Sequence, residues 1–184
     1  MSSVIFIQAR NYTPCAERLV DLIVIHTAET LEAPKVALGV ANFFRNQKAG
    51  PDGSSAHYAV DNLRVVQCVK DHDIAWAAPG ANRNGLHIEH AGRAAQNAKE
   101  WADPYSTAML KLSAVLAAEK AGYYGIPVRR LTPAQLKAGL LGFCGHIDVT
   151  RAFPGGSHVD PGPAFPWTRY LSCVRSFQRG VWPT

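Results

Sequence analysis

The stretch "GHIDVTRAFPGGSHVDPGPAFPW" (residues 145–167) sets His146, Asp148, His158 and Asp160 among prolines and glycines. Its composition reads as a loop, with no helix or long strand, and ligating side chains gathered on a loop suggest a site rather than a core element. His26 adds a further donor at the end of the apolar run "LVDLIVIH" (19–26). His146 closes a second apolar segment, "LLGFCGH" (140–146), so the two imidazoles can emerge together at the C-terminal edge of one sheet, where α/β proteins place their sites. Asp160 lies fourteen residues beyond His146 and precedes Pro161 and Gly162, which fix the backbone that carries its carboxylate. Two histidines and one carboxylate are a ligand set for catalytic zinc, with a fourth position left for water. Spacing alone leaves a second reading open, a surface turn whose polar side chains hydrogen-bond locally.

The elements that must position these residues follow from periodicity. Residues 19–26 read as a buried central strand ending at His26. Residues 33–50 carry apolar positions at helical spacing and stop at Gly50, a helix packed on that strand. "AHYAVDNLRVVQCV" (56–69) gives a hairpin about Asp61-Asn62. "LHIEHAG" (86–92) is the next strand, and alternation puts His87 and Glu89 on one face with Ile88 and His90 on the other. Between them, residues 71–85 form a loop long enough to be functional. Residues 103–125 are the strongest helix in the chain, 132–139 begin with a Thr-Pro start signal, 140–146 form a strand, and 166–180 close the chain as an amphipathic helix. Strands alternating with helices, without an internal repeat, predict an α/β fold with a mixed central sheet flanked by helices.

The 184 residues, 47% hydrophobic and 18% charged, suit a single domain spanning 1–184 with its core at about 19–178. The net charge of +5 favours an anionic partner: nucleic acid, a membrane surface or an acidic wall polymer. The basic residues are scattered, only Arg129 and Arg130 are adjacent, and no aromatic and basic interleaving appears, which argues against nucleic acid. No apolar run reaches the roughly 18 residues of a membrane span, so no membrane insertion is expected. Arg10, Glu17 and Arg18 interrupt the first twenty residues, so no secretory segment is expected either; the chain would be made in the cytoplasm and released by other means if it works outside. Cys15, Cys68, Cys144 and Cys173 form no C-x-x-C pair and read as buried thiols, with Cys144 near enough to His146 to be drawn into a metal site.

Taken in order from about residue 19 to 170, "LIVIHTAET", "SSAHYAVD", "DIAWAA", "LHIEHAG" and "GHIDVTRAFPGGSHVDPGPAFPW" resemble the zinc-dependent N-acetylmuramoyl-L-alanine amidases. That family includes phage endolysins, the cytoplasmic amidase of cell-wall recycling and animal peptidoglycan recognition proteins. The resemblance implies their fold and Zn2+ held by His26, His146 and Asp160. It also implies Glu89 as general base and His158 beside the developing oxyanion, with Asp148 left to cap or support the loop. The implied substrate is peptidoglycan, cut between N-acetylmuramic acid and L-alanine by a monomeric amidase domain. An endolysin would reach the host wall through a holin lesion.

Two departures matter. Ala56 stands where some phage relatives carry a catalytic tyrosine, so the chemistry must rely on Glu89, and "AWA" (75–77) replaces the usual "AWH", removing a polar contact from the groove. Trp76, His57 and Asn84 are the remaining candidates for binding substrate, with Asn82 beside them. Two rival functions stay in view, a non-catalytic peptidoglycan-binding module and the intracellular recycling amidase. Retention of the three ligand positions and Glu89 argues against the first, and the positive charge and altered groove against the second.

Overall fold

The computed structural model describes residues 4–181. The first half of the chain forms β1 (Ile5–Phe6), β2 (Tyr12–Thr13), β3 (Leu22–Thr27), α1 (Val36–Asn46), β4 (Tyr58–Val60), β5 (Val65–Gln67), β6 (Ile74–Ala75) and β7 (Gly85–His90). The second half adds α2 (Pro104–Tyr124), α3 (Pro133–Lys137), β8 (Gly142–Gly145), α4 (His146–Ala152) and α5 (Trp167–Gln178). Six strands make one mixed sheet in the order β1-β5-β4-β7-β3-β8, antiparallel only between β4 and β5; β2 and β6 pair as a separate ribbon.

β3 lies between parallel neighbours β7 and β8, and all six of its residues are buried. Such a strand must be apolar on both faces, which explains the unbroken "LIVI". On one face Ile23 and Ile25 join Leu86 and Ile88 against α2 and α5. On the other, Leu22, Val24 and Cys144 pack with α3 and α4, while α1 covers Ala59 and Val66. Strand alternation therefore carries His26, after Leu22 and Val24, onto the α1 and α4 side.

Local chemistry fixes the helices. The Asp103 carboxylate accepts from Ser106 N–H at 2.8 Å and Gly125 ends α2 at φ 67°, so α2 fills nearly the whole predicted span. α1 is shorter than expected at both ends. Lys35 turns left-handed before it, and the Asp61 carboxylate in the hairpin turn accepts from Ala37 N–H at 3.1 Å. Beyond Asn46, Gln47 leaves the helix to bond Ser54, and the Asn11 side chain captures Lys48 O and Gly50 N–H.

The stretch from 145 is not all loop. Residues 146–152 hold no proline or glycine, Asp148 Oδ2 accepts from Gly145 N–H at 2.9 Å, and Val149 and Ala152 bury against the core, which together make α4. The cysteines are free; Cys68 and Cys144 are buried, but Cys15 and Cys173 are only half-buried. Cys144 packs in the apolar cluster with Leu22, Val24 and Val149, and the group of donors that could hold a metal is His26, His146 and Asp160 without it.

Candidate metal centre and groove

β3 and β8 run parallel with Ile25 opposite Gly145, so His26 and His146, the next residues along, leave the same sheet edge side by side. Asp160 reaches them from the following loop. Its carbonyl accepts from Ile147 N–H at 2.9 Å, and Gly145 lets the loop dock, since a Cβ there would lie 2.6 Å from Pro161 Cδ. Gly162, at φ 87°, seats the loop's far side: a Cβ would stand 1.8 Å from the Ala94 carbonyl oxygen. Gly162→Ala is expected to cost about 2–4 kcal/mol, by left-handed strain plus a backbone clash, and a urea titration of stability checks it.

His26 Nδ1 lies 3.2 Å from Asp160 Oδ2 and His146 Nδ1 lies 3.3 Å from Asp160 Oδ1. All three residues are buried, with one donor atom of each lying within 4.8 Å of the others. Donors about 2.0–2.2 Å from one tetrahedral ion stand about 3.3–3.6 Å apart, so the group fits a metal such as zinc. Asp160 Oδ2 is buried and lacks a hydrogen-bond partner, an open acceptor that a cation would satisfy. Burial alone would raise the Asp160 pKa, but the rings of His146 and His26 outweigh it and hold the carboxylate below its ordinary range.

Glu89 sits beside this group, opposite His26 on β3 and Ala59 on β4. Its Oε2 is buried without a hydrogen-bond partner. Burial, then the negative charges of Asp160 and Glu29, push its pKa up to about 8. His158 stacks on His146 with ring centroids 4.0 Å apart, and its Nδ1 is 3.7 Å from Asp160 Oδ1. Its side chain is 59% exposed, and partial burial and His146 lower its pKa, favouring a neutral ring.

These residues open into a groove of about 480 Å³. Val40, Phe43 and Phe44 of α1 form an apolar wall, with Trp76 and Ser55 also along its lining. Phe43 is 62% exposed, and the Trp76 indole N–H is tied to Thr13 Oγ1 at 2.9 Å. A fixed aromatic ring beside an exposed phenylalanine suits the apolar faces of a sugar or peptide.

A family model described as N-acetylmuramoyl-L-alanine amidase matches residues 16–163. The chain belongs to the N-acetylmuramoyl-L-alanine amidase family. N-acetylmuramoyl-L-alanine amidase A of Achromobacter lyticus is 28% identical over 172 residues, covering 89% of this chain and 88% of that protein. Solved structures share the fold, among them the two that follow. The Staphylococcus aureus hydrolase AmiA, solved with its ligand, superposes with a TM-score of 0.68 at 15% identity, covering 98% of this chain and 86% of its own. A mutant endolysin from Bacillus subtilis gives a TM-score of 0.63 at 15% identity over 95% and 99% of the two chains.

Against this amidase family background, two expected groove residues lie elsewhere. His57 is wholly buried under β7: its Nδ1 accepts from His87 N–H at 3.1 Å and its Nε2 meets the Asp73 carbonyl at 3.1 Å, so it cannot touch a substrate. Asn84 precedes β7 at the opposite end of the strand from Glu89, where its amide reaches Asp21 Oδ2 at 3.3 Å. Asn82 spends its carbonyl on Ala77 and Ala78 N–H. A shared strand places residues on one line, but its length separates the two ends. The α1 wall escaped sequence reasoning, although adjacent Phe43 and Phe44 exceed what one core-facing stripe needs. Glu29 was missed too. Left-handed at φ 53°, it lines the groove with one carboxylate oxygen held by Thr27 Oγ1–H and Ala94 N–H.

Proposed function

We propose that this protein uses zinc, held by His26, His146 and Asp160, to hydrolyse the amide between N-acetylmuramic acid and L-alanine in peptidoglycan. The observation that carries the reading is the meeting, in one groove, of a three-donor group with a buried, unpartnered carboxylate. Membership of the amidase family supports the bond assignment.

The lactyl amide is a poor electrophile, so its carbonyl must be polarised and a nucleophile supplied. Bound zinc supplies Lewis acidity and a water acidic enough to react near neutral pH. Glu89 takes the proton of the attacking water as the carbon–oxygen bond forms, and gives it to the alanine nitrogen as the carbon–nitrogen bond breaks. A group that takes and returns a proton works best with a pKa near the working pH, and in the metal-free site burial raises that of Glu89 above the ordinary carboxylate range. His158 donates an N–H to the oxyanion. Removing such a donor costs about 100 to 1,000-fold in dry sites, and His158 is exposed, so His158→Ala is expected near the lower figure in kcat, with zinc content unchanged.

The 1–184 unit is read as a catalytic domain that acts as a phage endolysin, reaching the host wall through a membrane lesion and lysing the cell. Likeness to an endolysin and a charge of +5 facing an anionic wall support that role. Mass spectrometry of peptidoglycan digests tests the chemistry. New L-alanine amino termini with intact lactyl-bearing glycans are expected. Cut glycan strands or cross-links would assign another bond, and no products from zinc-loaded protein would turn the reading to a binding module or a soluble muropeptide substrate.

A further inference from the structure

Both ring nitrogens of His26 face polar neighbours. Nδ1 faces Asp160, and Nε2 lies 3.0 Å from Nδ1 of His87, a residue that is wholly buried. His87 pairs in register with Val24 of β3, two residues before His26 and on the same face, so the sheet itself holds its ring behind the ligand ring. The two centroids are 5.2 Å apart at 52°.

The ring is fixed from below as well. The His87 backbone N–H donates to His57 Nδ1, the two rings stack at 5.6 Å and 13°, and His57 Nε2 lies 3.1 Å from the Asp73 carbonyl oxygen and 2.8 Å from the Arg18 guanidinium. On the far side, Gly85 leaves the space His87 needs, since a Cβ there would come 2.9 Å from His87 Nε2. His87 Nε2 itself is buried without a hydrogen-bond partner. A buried, unpaired imidazole nitrogen is costly, and it persists here beside a ring that belongs to the three-donor group.

We propose that His87 is a positioning residue for the metal centre: its Nδ1 accepts the Nε2–H of His26, fixing the tautomer and ring angle that present His26 Nδ1 to the metal. The inference rests on the zinc site proposed above. When Nδ1 of a histidine gives its lone pair to a metal, the ring proton must sit on Nε2, and an acceptor facing that nitrogen stabilises this form. With Nδ1 accepting, His87 carries its own proton on Nε2. Carboxylates and carbonyls usually fill this role, and here a neutral imidazole does.

The test compares His87→Leu with His87→Asn, whose amide oxygen restores an acceptor near the position of Nδ1. Zinc affinity is read by chelator competition, and the geometry by the absorption of the cobalt-substituted proteins. Loss of an outer partner typically weakens metal binding about 10 to 100-fold, so His87→Leu should fall in that range with an altered cobalt spectrum, and His87→Asn should recover most of both. Equal affinity and spectra in wild type and His87→Leu would overturn the inference alone. Failure of the wild type to take up zinc would overturn the site reading and this inference with it. Should the leucine variant not fold, long-range proton–nitrogen correlations on the zinc-loaded wild type decide: His87 protonated on Nε2 supports the inference, and His87 protonated on Nδ1 rules it out.

Discussion

Glu89→Gln should leave a folded protein that binds zinc as the wild type does and cleaves peptidoglycan at least about 100-fold more slowly, the loss expected when a positioned acid–base group is removed. The substitution keeps the side chain's size in a tight slot between β3 and β4 and removes only the proton transfer. A second, independent signature follows from burial. With its pKa raised to about 8, Glu89 binds a proton more tightly in the folded than in the unfolded state. Stability of the metal-free protein therefore falls as pH rises from the ordinary carboxylate range, 4.5, towards 8, and levels above it. Glu89→Gln lacks this group, so the difference between variant and wild type should move in the variant's favour across that window. Thermal melts at several pH values, paired with product assays, check both. Wild-type turnover in the glutamine variant would remove Glu89 as the base, whatever the melts show.

Much of this site was legible because its parts lie where sequence patterns are strongest. An all-apolar run ending in His26 marks a central strand and its edge at once, and the "GH" and "DPG" signals locate His146 and Asp160. Alternation in "LHIEH" set His87 and Glu89 on one face, and the register of β7 with β3 makes that the face of His26. The Thr-Pro start signal of α3 was equally plain, with Thr132 doing what its side chain favours.

What sequence did not reveal depends on distance and depth. His57 and His87 look alike as strand histidines, and only the stacking of the sheet shows that both are buried, with His87 behind a donor ring. Asn84 is near Glu89 in the chain but is separated from it by most of a strand. α4 was hidden because the prolines and glycines that follow residue 153 colour the whole stretch, whereas Gly145 to Ala152 carries its own cap and two buried apolar residues. Glu29 gave no local signal for its left-handed backbone.

Asp160→Asn should abolish zinc binding and, with it, cleavage, while the fold survives. The loop is seated by main-chain and glycine contacts that the substitution leaves untouched: the Asp160 carbonyl still accepts from Ile147, and Gly162 still packs on Ala94. What disappears is the anion. His26 and His146 are left with a neutral amide, whose weaker donor oxygen cannot replace a carboxylate toward a divalent cation. Zinc stoichiometry by elemental analysis after dialysis should fall to background, as should product formation; an asparagine variant retaining both would remove Asp160 from the ligand set. The stability signature is opposite in sign to that of Glu89. The His146 and His26 rings overcome the desolvation of Asp160 and hold its folded pKa below the ordinary 3.8, so its ionised form stabilises the fold above that value and loses this only as pH falls through the lower folded range. Metal-free Asp160→Asn should therefore be less stable than wild type at neutral pH, where Glu89→Gln is more stable. Two carboxylates in one groove are thus told apart by protein stability alone: one held ready to carry a proton, the other held ionised against burial, as a metal ligand must be.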